Sequence, residues 1–206
     1  MKFRSTTLSA ILPKRRITAV AASIALAVPA GSAAAQFMPA FEVRPMAGAY
    51  VPIGAQSDFL AGANMWGAQA SWLLTPTWAL TGSFGWTGSQ DKLTSPVRQD
   101  LNLYQYDAGV EARVAPATGA KWTFSPFIGI GAGARTYDYK NMTGESKTYM
   151  SGYGALGAEV GYDLLGVRIE ARDYVSRFKP LIGPVPSNWD YRNDMTLSAA
   201  LNLRIW

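Results

Sequence analysis

Acidic and basic side chains alternate two residues apart along this chain, and they are its best candidates for chemistry. Glu111 stands two residues from Arg113, and Glu170 lies between Arg168 and Arg172. Closely spaced carboxylates could form a general acid–base pair, whereas carboxylates that each face an arginine form ion pairs. Because these glutamates have arginines close by, the spacing predicts a structural ion-pair network and no catalytic residue. The predicted network comprises Glu42, Arg44, Asp107, Glu111, Arg113, Arg135, Glu159, Arg168, Glu170 and Arg172.

Two residue types that carry much of the chemistry of protein sites are missing. The sequence contains no histidine and no cysteine, which removes the commonest general base and the thiolate ligands of metal sites. Residues 152–157 match the dinucleotide fingerprint G-x-G-x-x-G, but that fingerprint requires a helix directly after it. Here the glycines lie within an alternating segment. We therefore expect no cofactor, no metal site and no enzymatic activity.

Hydrophobic periodicity predicts that β-strands position the charged side chains. Eight segments alternate with period two, and each has an apolar face and a face of small, polar or charged residues. Short turns alternate with longer polar loops, at about 53–62, 89–100, 139–147 and 179–194. This pattern predicts an all-β fold, an eight-stranded antiparallel up-and-down barrel that crosses a membrane. The predicted strands are at about 40–52, 63–74, 78–88, 101–114, 122–138, 148–162, 166–178 and 195–206.

The first 35 residues have the composition of an export signal. Basic residues between Lys2 and Arg16 precede an apolar run over 17–30 and a small-residue site at 33–35. We therefore predict a cleaved signal peptide over 1–35 and a barrel domain over 36–206. The leader holds five of the 19 basic residues and none of the 14 acidic ones. The remaining chain is balanced in charge, so the basic composition does not indicate nucleic-acid binding.

The distribution of charge between the two faces of the strands favours a membrane barrel over a soluble one. A soluble barrel keeps its charges outside, whereas a membrane barrel turns its apolar face to lipid. On the apolar face, only Asp173 and Arg177 are charged, both towards the long-loop end. Aromatic residues near both strand ends predict two interfacial girdles. The short-turn girdle comprises Phe41, Trp72, Trp78, Trp122, Phe124, Tyr162 and Trp206, and the long-loop girdle Trp86, Tyr104, Tyr106, Tyr137, Tyr139, Tyr149 and Tyr174.

The chain resembles the OmpA-like family of outer-membrane β-barrels. The resemblance covers 36–206 and rests on the strand pattern, on Phe124–Gly133 (FSPFIGIGAG) and on the aromatic C-terminus Leu201–Trp206 (LNLRIW). It implies a location in the outer membrane of a Gram-negative bacterium, in contact with outer-membrane lipids and lipopolysaccharide. It also implies assembly by periplasmic chaperones and the outer-membrane insertion machinery, with Trp206 as the targeting residue. Trp206 is out of phase with the apolar residues before it, which leaves the register of the last strand open.

Two functions are compatible with such a barrel. Eight strands enclose a lumen that side chains can fill, and the charged residues with Tyr50, Tyr153 and Tyr174 would occupy it, so we predict no wide pore. We expect a structural or surface-interaction role through the loops. The loop at 179–194 holds candidate contact residues such as Arg192. The alternative is a narrow channel or carrier for small solutes or apolar molecules.

Overall fold

The protein is a closed β-barrel, seen in a computed structural model that describes residues 40–54, 56–92, 99–115, 121–140, 146–162, 164–178 and 190–205. Each strand pairs antiparallel with the next along the chain, and β8 pairs with β1. The prediction of an eight-stranded antiparallel barrel is therefore confirmed. The elements are β1 (Phe41–Ile53), α1 (Gln56–Phe59), β2 (Ala63–Leu73), β3 (Trp78–Asp91), β4 (Gln99–Arg113), β5 (Trp122–Tyr139), β6 (Ser146–Tyr162), β7 (Leu165–Phe178) and β8 (Asp190–Ile205).

Side-chain alternation decides what faces out of the barrel and what faces in. Along β3 the large apolar residues Leu80, Phe84 and Trp86 are exposed, while Thr81 and Thr87 are buried. The outer wall is apolar on the other strands too, and Ile130 on β5 has 73% of its surface exposed. The polar face is the interior, which is the reverse of a soluble barrel. Among the described residues, no helix is long and apolar enough to cross a membrane.

The seam between β1 and β8 closes the barrel and fixes the register of the last strand. The pairing runs from Phe41 opposite Ile205 to Ile53 opposite Asn193. It is interrupted only at Arg44 and Pro45, because proline has no N–H to give to the ladder. Odd-numbered apolar residues of β8 therefore face outwards, as the sequence predicted. Trp206 itself lies outside the described residues.

Two segments predicted as loops contain regular secondary structure. β8 begins at Asp190, before the predicted start, because residues 190–194 continue its ladder with β7. These residues are polar on both faces, so hydrophobic periodicity could not reveal the strand. The connection between β1 and β2 contains α1, a helix of one turn that was not predicted. Arg192, predicted as a loop contact, is instead a buried residue of β8.

The glycine fingerprint at 152–157 serves packing within the barrel. Gly157 lies under the ring of Phe127, and a Cβ atom there would stand 2.5 Å from the Cζ atom of Phe127. Gly154 faces outwards, where an added Cβ would have no atom within 4 Å. The glycines therefore permit close packing on the luminal side and leave bare backbone on the outer wall. No helix follows them, since β6 continues through to Tyr162.

Candidate functional site: the filled lumen

All ten charged residues predicted as a network lie inside the barrel, and each is buried. Ion pairs connect them into groups, and these groups lie at successive heights from the short-turn end of the barrel upwards. Three further charged residues of β8 also point inwards: Asp194 and Arg204 pair with members of the ten, and Arg192 contacts Gln56. The alternation along the last strand places Arg204 on the polar, inward face, so its position could be predicted from the sequence. Arg192 and Asp194 were missed because they fell within the predicted loop.

Glu42 is the centre of the group nearest the short-turn end. Its carboxylate accepts hydrogen bonds from Arg44, from Nη1 of Arg113 at 3.0 Å and from Nη2 of Arg204 at 3.1 Å. Arg44 also donates to Oε1 of Gln69 at 2.9 Å. One carboxylate thus faces three guanidinium groups contributed by β1, β4 and β8. The arrangement ties these strands together across the lumen.

Arg168 links the next pair of carboxylates. Its Nη2 atom donates to Oε2 of Glu111 at 2.6 Å, and its Nε atom donates to Oε2 of Glu170 at 3.0 Å. The guanidinium carbon lies 3.3 Å from the ring centre of Phe127, so the cation also stacks on an aromatic face. On the other side of the group, Glu159 accepts from Nδ2 of Asn202 at 2.6 Å. Strands β4, β6, β7 and β8 meet at this level.

Arg172 organises the middle of the lumen. It pairs with Glu170, and its Nη1 atom donates to Oδ2 of Asp107 at 3.2 Å and to Oγ of Ser83 at 2.7 Å. The hydroxyl of Tyr174 donates to the same Asp107 oxygen at 2.7 Å. Asp107 is thereby held by Ser83 of the neighbouring strand β3 and, across the lumen, by Arg172 and Tyr174 of β7. The side chains of Ser83, Asp107, Arg172 and Tyr174 therefore meet in the lumen at this height.

Arg135 and Asp194 form the uppermost ion pair, and Tyr50 completes it. The carboxylate of Asp194 accepts from Arg135 and from the hydroxyl of Tyr50, the latter at 2.8 Å. The Arg135 guanidinium lies 3.9 Å from the ring centre of Tyr174. Both charged groups are fully removed from solvent. Arg135 was predicted to be luminal, but its carboxylate partner could not be named from the sequence.

An apolar cluster closes the long-loop end of the lumen; we call it the mouth cluster. Here the sequence prediction was wrong for Tyr137 and Tyr139, which were assigned to the outer girdle. They share the inward parity of Arg135 and are buried, so they do not face outwards. The girdle prediction was also wrong for Tyr174, which is buried in the lumen, and for Tyr149, which packs against this cluster. Leu101 and Leu103 were likewise not expected inside. The mouth cluster comprises Tyr50, Leu60, Leu101, Leu103, Tyr137 and Tyr139.

Helix α1 folds into the mouth and holds the cluster in place. Leu60, directly after the helix, is buried among the cluster residues, and Phe59 packs beside them. Nη1 of Arg192 donates to Oε1 of Gln56 at 2.9 Å, and its guanidinium stacks 3.9 Å from the ring centre of Phe59. Nζ of Lys92 donates to the carbonyl of Ser57 at 2.8 Å. The β1–β2 connection is therefore a cap over the lumen.

A small cavity lies in the described part of the lumen. Its volume of about 10 Å³ is enough for one water molecule. Asp107, Gln105 and Arg172 contribute to its lining, and Nε2 of Gln105 has no hydrogen-bond partner there. The cavity lies between the mid-lumen ion pairs and the mouth cluster. A solute larger than water would have to displace side chains to pass.

The luminal carboxylates are arranged for pairing with arginine. Glu42, Glu111, Glu170, Asp107 and Asp194 each have a guanidinium in contact. Within the described ranges, no group of three metal-binding side chains could hold a metal ion. The chemistry that this arrangement supports is cross-linking of the barrel wall from inside.

Replacing Tyr50 with phenylalanine is expected to cost about 1 kcal/mol of unfolding free energy, because one buried hydrogen bond to Asp194 is lost while its pair with Arg135 remains. Urea unfolding of the folded protein in lipid vesicles, followed by tryptophan fluorescence, measures the change. Tyr106 provides the matched control, since its ring lies on the outer wall and Tyr106→Phe should leave the midpoint unchanged. Equal effects of the two substitutions would contradict the assigned role of Tyr50.

Comparison with solved structures identifies the same fold in bacterial surface barrels. OprG of Pseudomonas aeruginosa, an outer membrane protein, is 11% identical with a TM-score of 0.57, and the match covers 82% of this chain and 96% of that one. Neisserial surface protein A is 15% identical with a TM-score of 0.52, over 79% and 96% of the two chains. Ail of Yersinia pestis, solved with the heparin analogue sucrose octasulfate, is 14% identical with a TM-score of 0.50, over 82% and 100%.

At these identities the likeness concerns the fold alone. A search of curated proteins found no match. A family model, described as "Outer membrane protein beta-barrel domain", matches residues 18–204. The match spans most of the chain. It covers β1 to β7 completely and β8 up to the residue before its last. The protein therefore belongs to the outer membrane protein β-barrel domain family.

Proposed function

We propose that the protein is an integral barrel of the outer membrane with a structural or surface-interaction role, and that it is not an enzyme. In this proposal the short-turn end lies in the periplasm and the long loops face the outside. The observation that carries the proposal is the filled lumen, since ion pairs and the mouth cluster occupy it from one end to the other. A barrel without a passage can act through its wall and its loops.

The outer wall supports placement in a membrane. Trp122 and Tyr162 pack together at the short-turn end with ring centres 4.9 Å apart. Trp66, Trp86 and Tyr104 occupy neighbouring strands in register nearer the long-loop end. Between these levels the wall carries exposed aliphatic side chains. Two aromatic belts with an apolar band between them are typical of a barrel that spans a bilayer, and a closed barrel leaves no backbone edge in lipid.

Reconstitution into planar bilayers is expected to give no large stable conductance, because side chains block the lumen at several levels. Single-channel recording at both voltage polarities measures this directly, with a general porin as the positive control. A reproducible open state in the wild-type protein would contradict the proposed role. It would favour the narrow channel instead.

The narrow channel is the second candidate, and the small cavity beside Arg172 is the observation that favours it. If Arg172 acts as a gate, Arg172→Ala should raise the flux of small solutes into liposomes. If it is structural, the variant should unfold at a lower temperature without flux. The two outcomes separate the candidates in one variant, because folding and flux are measured on the same proteoliposomes.

Export and assembly complete the proposal. We propose that residues 1–35 are removed as a signal peptide, and that periplasmic chaperones and the insertion machinery deliver the barrel, with Trp206 as the targeting residue. Fractionation of cells followed by mass determination of the membrane-bound protein tests cleavage. Electrophoresis before and after boiling tests the folded state, because a folded membrane barrel stays folded in detergent until it is heated. Its gel mobility therefore changes on boiling. Recovery as a water-soluble protein would contradict the proposal.

A further inference from the structure

Helix α1 lies in the mouth of the lumen in the way that a bound ligand would. The helix has a single turn, and one turn of helix is not stable by itself in water. Gln56 has none of its surface exposed, and Phe59 is partly buried against the mouth cluster. Asp58, on the other side of the turn, is exposed to solvent. The contacts of α1 with the barrel therefore determine where the helix lies.

Arg192 is the barrel residue that contacts both a polar and an aromatic side chain of α1. Its Nη1 atom donates to Oε1 of Gln56 at 2.9 Å, and its guanidinium lies 3.9 Å from the ring centre of Phe59. The arginine is itself buried. One guanidinium thus binds an acceptor oxygen and a flat aromatic ring at the same time. An aromatic carboxylate carries both features in one small molecule.

A carboxylate is a stronger acceptor for Arg192 than the amide that α1 supplies. A hydrogen bond from a guanidinium to a carboxylate carries charge on both partners, and the two groups can form a pair of parallel bonds. The amide of Gln56 is neutral and offers a single oxygen. A free ligand of this class can therefore compete with α1, although α1 has the advantage of being attached to the barrel.

The charges around the mouth favour an anion over a cation as the ligand. The charged residues that contact α1 or the mouth cluster include the carboxylates Asp91 and Asp194 and the cations Arg135, Arg192 and Lys92. Asp194 is paired with Arg135, and Asp91 accepts a hydrogen bond from the hydroxyl of Tyr139 at 3.2 Å. These five groups together carry one more positive than negative charge.

The backbone around α1 allows the helix to leave without disturbing the barrel wall. Gly54, directly after β1, has a φ of 58°, a conformation that glycine adopts without strain. Beyond the helix, the backbone N–H of Ala61 donates to the carbonyl of Gln90 at 3.0 Å, and that of Lys92 donates to the carbonyl of Phe59 at 2.8 Å. Both bonds lie outside the ladders that connect the eight strands.

We propose that the mouth of the lumen binds an aromatic carboxylate, which takes the place of α1 on Arg192. The ring stacks on the guanidinium where Phe59 now lies, and the carboxylate accepts the hydrogen bond now given to Gln56. Helix α1 is then a tethered competitor that keeps the site closed until the ligand binds. The proposal rests on the proposed function, because the mouth must open at the outer surface. It names a ligand class for the surface-interaction role and requires no passage through the barrel.

A disulfide between positions 60 and 91 would hold α1 in the mouth. Leu60 and Asp91 form an isolated antiparallel bridge between the two backbone hydrogen bonds just described. The Cα atoms of such a pair are about 4.5 Å apart, a separation that a disulfide can span. Because the chain has no cysteine, Leu60→Cys combined with Asp91→Cys can form only this bond. The reduced form of the same variant is the matched control, since it differs by the disulfide alone.

Two single substitutions test the competitor and the cation separately. Phe59→Ala removes the ring that α1 places on Arg192, so it should make the site more available. A purely structural role of Phe59 predicts the opposite. Arg192→Gln removes the cation that the ligand requires. Arg177→Gln is its control, because Arg177 is an exposed arginine on β7.

Fluorine NMR of para-fluorobenzoate, titrated with the folded proteins in detergent, measures binding, and para-fluorobenzyl alcohol is the neutral probe. We expect the wild type to bind the carboxylate and Phe59→Ala to bind it about fivefold more tightly, because the binding-competent population rises. The oxidised cysteine pair and Arg192→Gln should bind it about tenfold more weakly than the wild type. The reduced pair and Arg177→Gln should bind at least as tightly as the wild type.

Four results would overturn the assignment. They are binding of the carboxylate by neither the wild type nor Phe59→Ala, equal binding by the oxidised and reduced cysteine pair, no gain in affinity from Phe59→Ala, and binding of the alcohol as tightly as the carboxylate. Failure of the proposed function is recognised separately. A wild-type protein that shows no heat-dependent gel shift in detergent is not a membrane barrel, whether or not it binds the probe.

Discussion

Replacing Arg168 with methionine should lower the free energy of unfolding by about 3–5 kcal/mol, the usual cost of removing one partner from a buried ion pair. Methionine keeps much of the side-chain length and its contact with Phe127, but it leaves Glu111 and Glu170 without this arginine. Both carboxylates are buried, so water cannot replace the lost cation. Urea unfolding in lipid vesicles, with the wild type alongside, measures the difference.

Lys147 on β6 provides the control for the lost charge, because it is exposed to solvent. Lys147→Met should change the unfolding free energy by much less than Arg168→Met. The two variants should also behave alike in a liposome flux assay, with no solute passage in either. Arg168→Met with wild-type stability would show that the luminal network contributes little. Stable folding with new flux would show that Arg168 blocks a channel.

Replacing Gly131 with leucine should destabilise the barrel by about 3 kcal/mol, at the upper end of the usual cost of overpacking. A Cβ at this position would lie 2.4 Å from the carbonyl oxygen of Ala108 and 2.5 Å from Cε1 of Tyr153. The carbonyl belongs to the neighbouring strand and cannot withdraw without breaking the ladder. The Tyr153 ring in turn packs against Tyr174, with ring centres 5.6 Å apart.

Gly154→Leu separates this packing effect from the general cost of replacing a strand glycine. It lies on the next strand, opposite Ile130, but faces outwards into open space. We expect Gly154→Leu to fold with near wild-type stability and Gly131→Leu to show a lower urea midpoint or a smaller heat-resistant fraction on gels. Equal stability of the two variants would mean that the close packing over Gly131 is not required.

The fold could be predicted because its main signal is local. Alternation of apolar and polar residues over stretches such as Trp122–Ile130 sets the strand and its two faces without any knowledge of the neighbours. The signal failed where both faces carry the same kind of residue. Residues 190–194 are polar on both faces, so a strand was taken for a loop. Tyr137 and Tyr139 are amphipathic, and their position near a strand end suggested a girdle although their parity places them inside.

By itself, the sequence determined that the chain forms strands, that their charged face is balanced and that this face lies opposite an apolar wall. Only the tertiary structure decided which charges meet. Arg135 and Asp194 are 59 residues apart in the chain, and Arg192 and Gln56 are 136 apart. Their contacts depend on barrel closure and on the fold of the β1–β2 connection into the mouth. Periodicity fixes the direction in which a side chain points, whereas its partner across the lumen depends on strand register and closure, which no local pattern encodes.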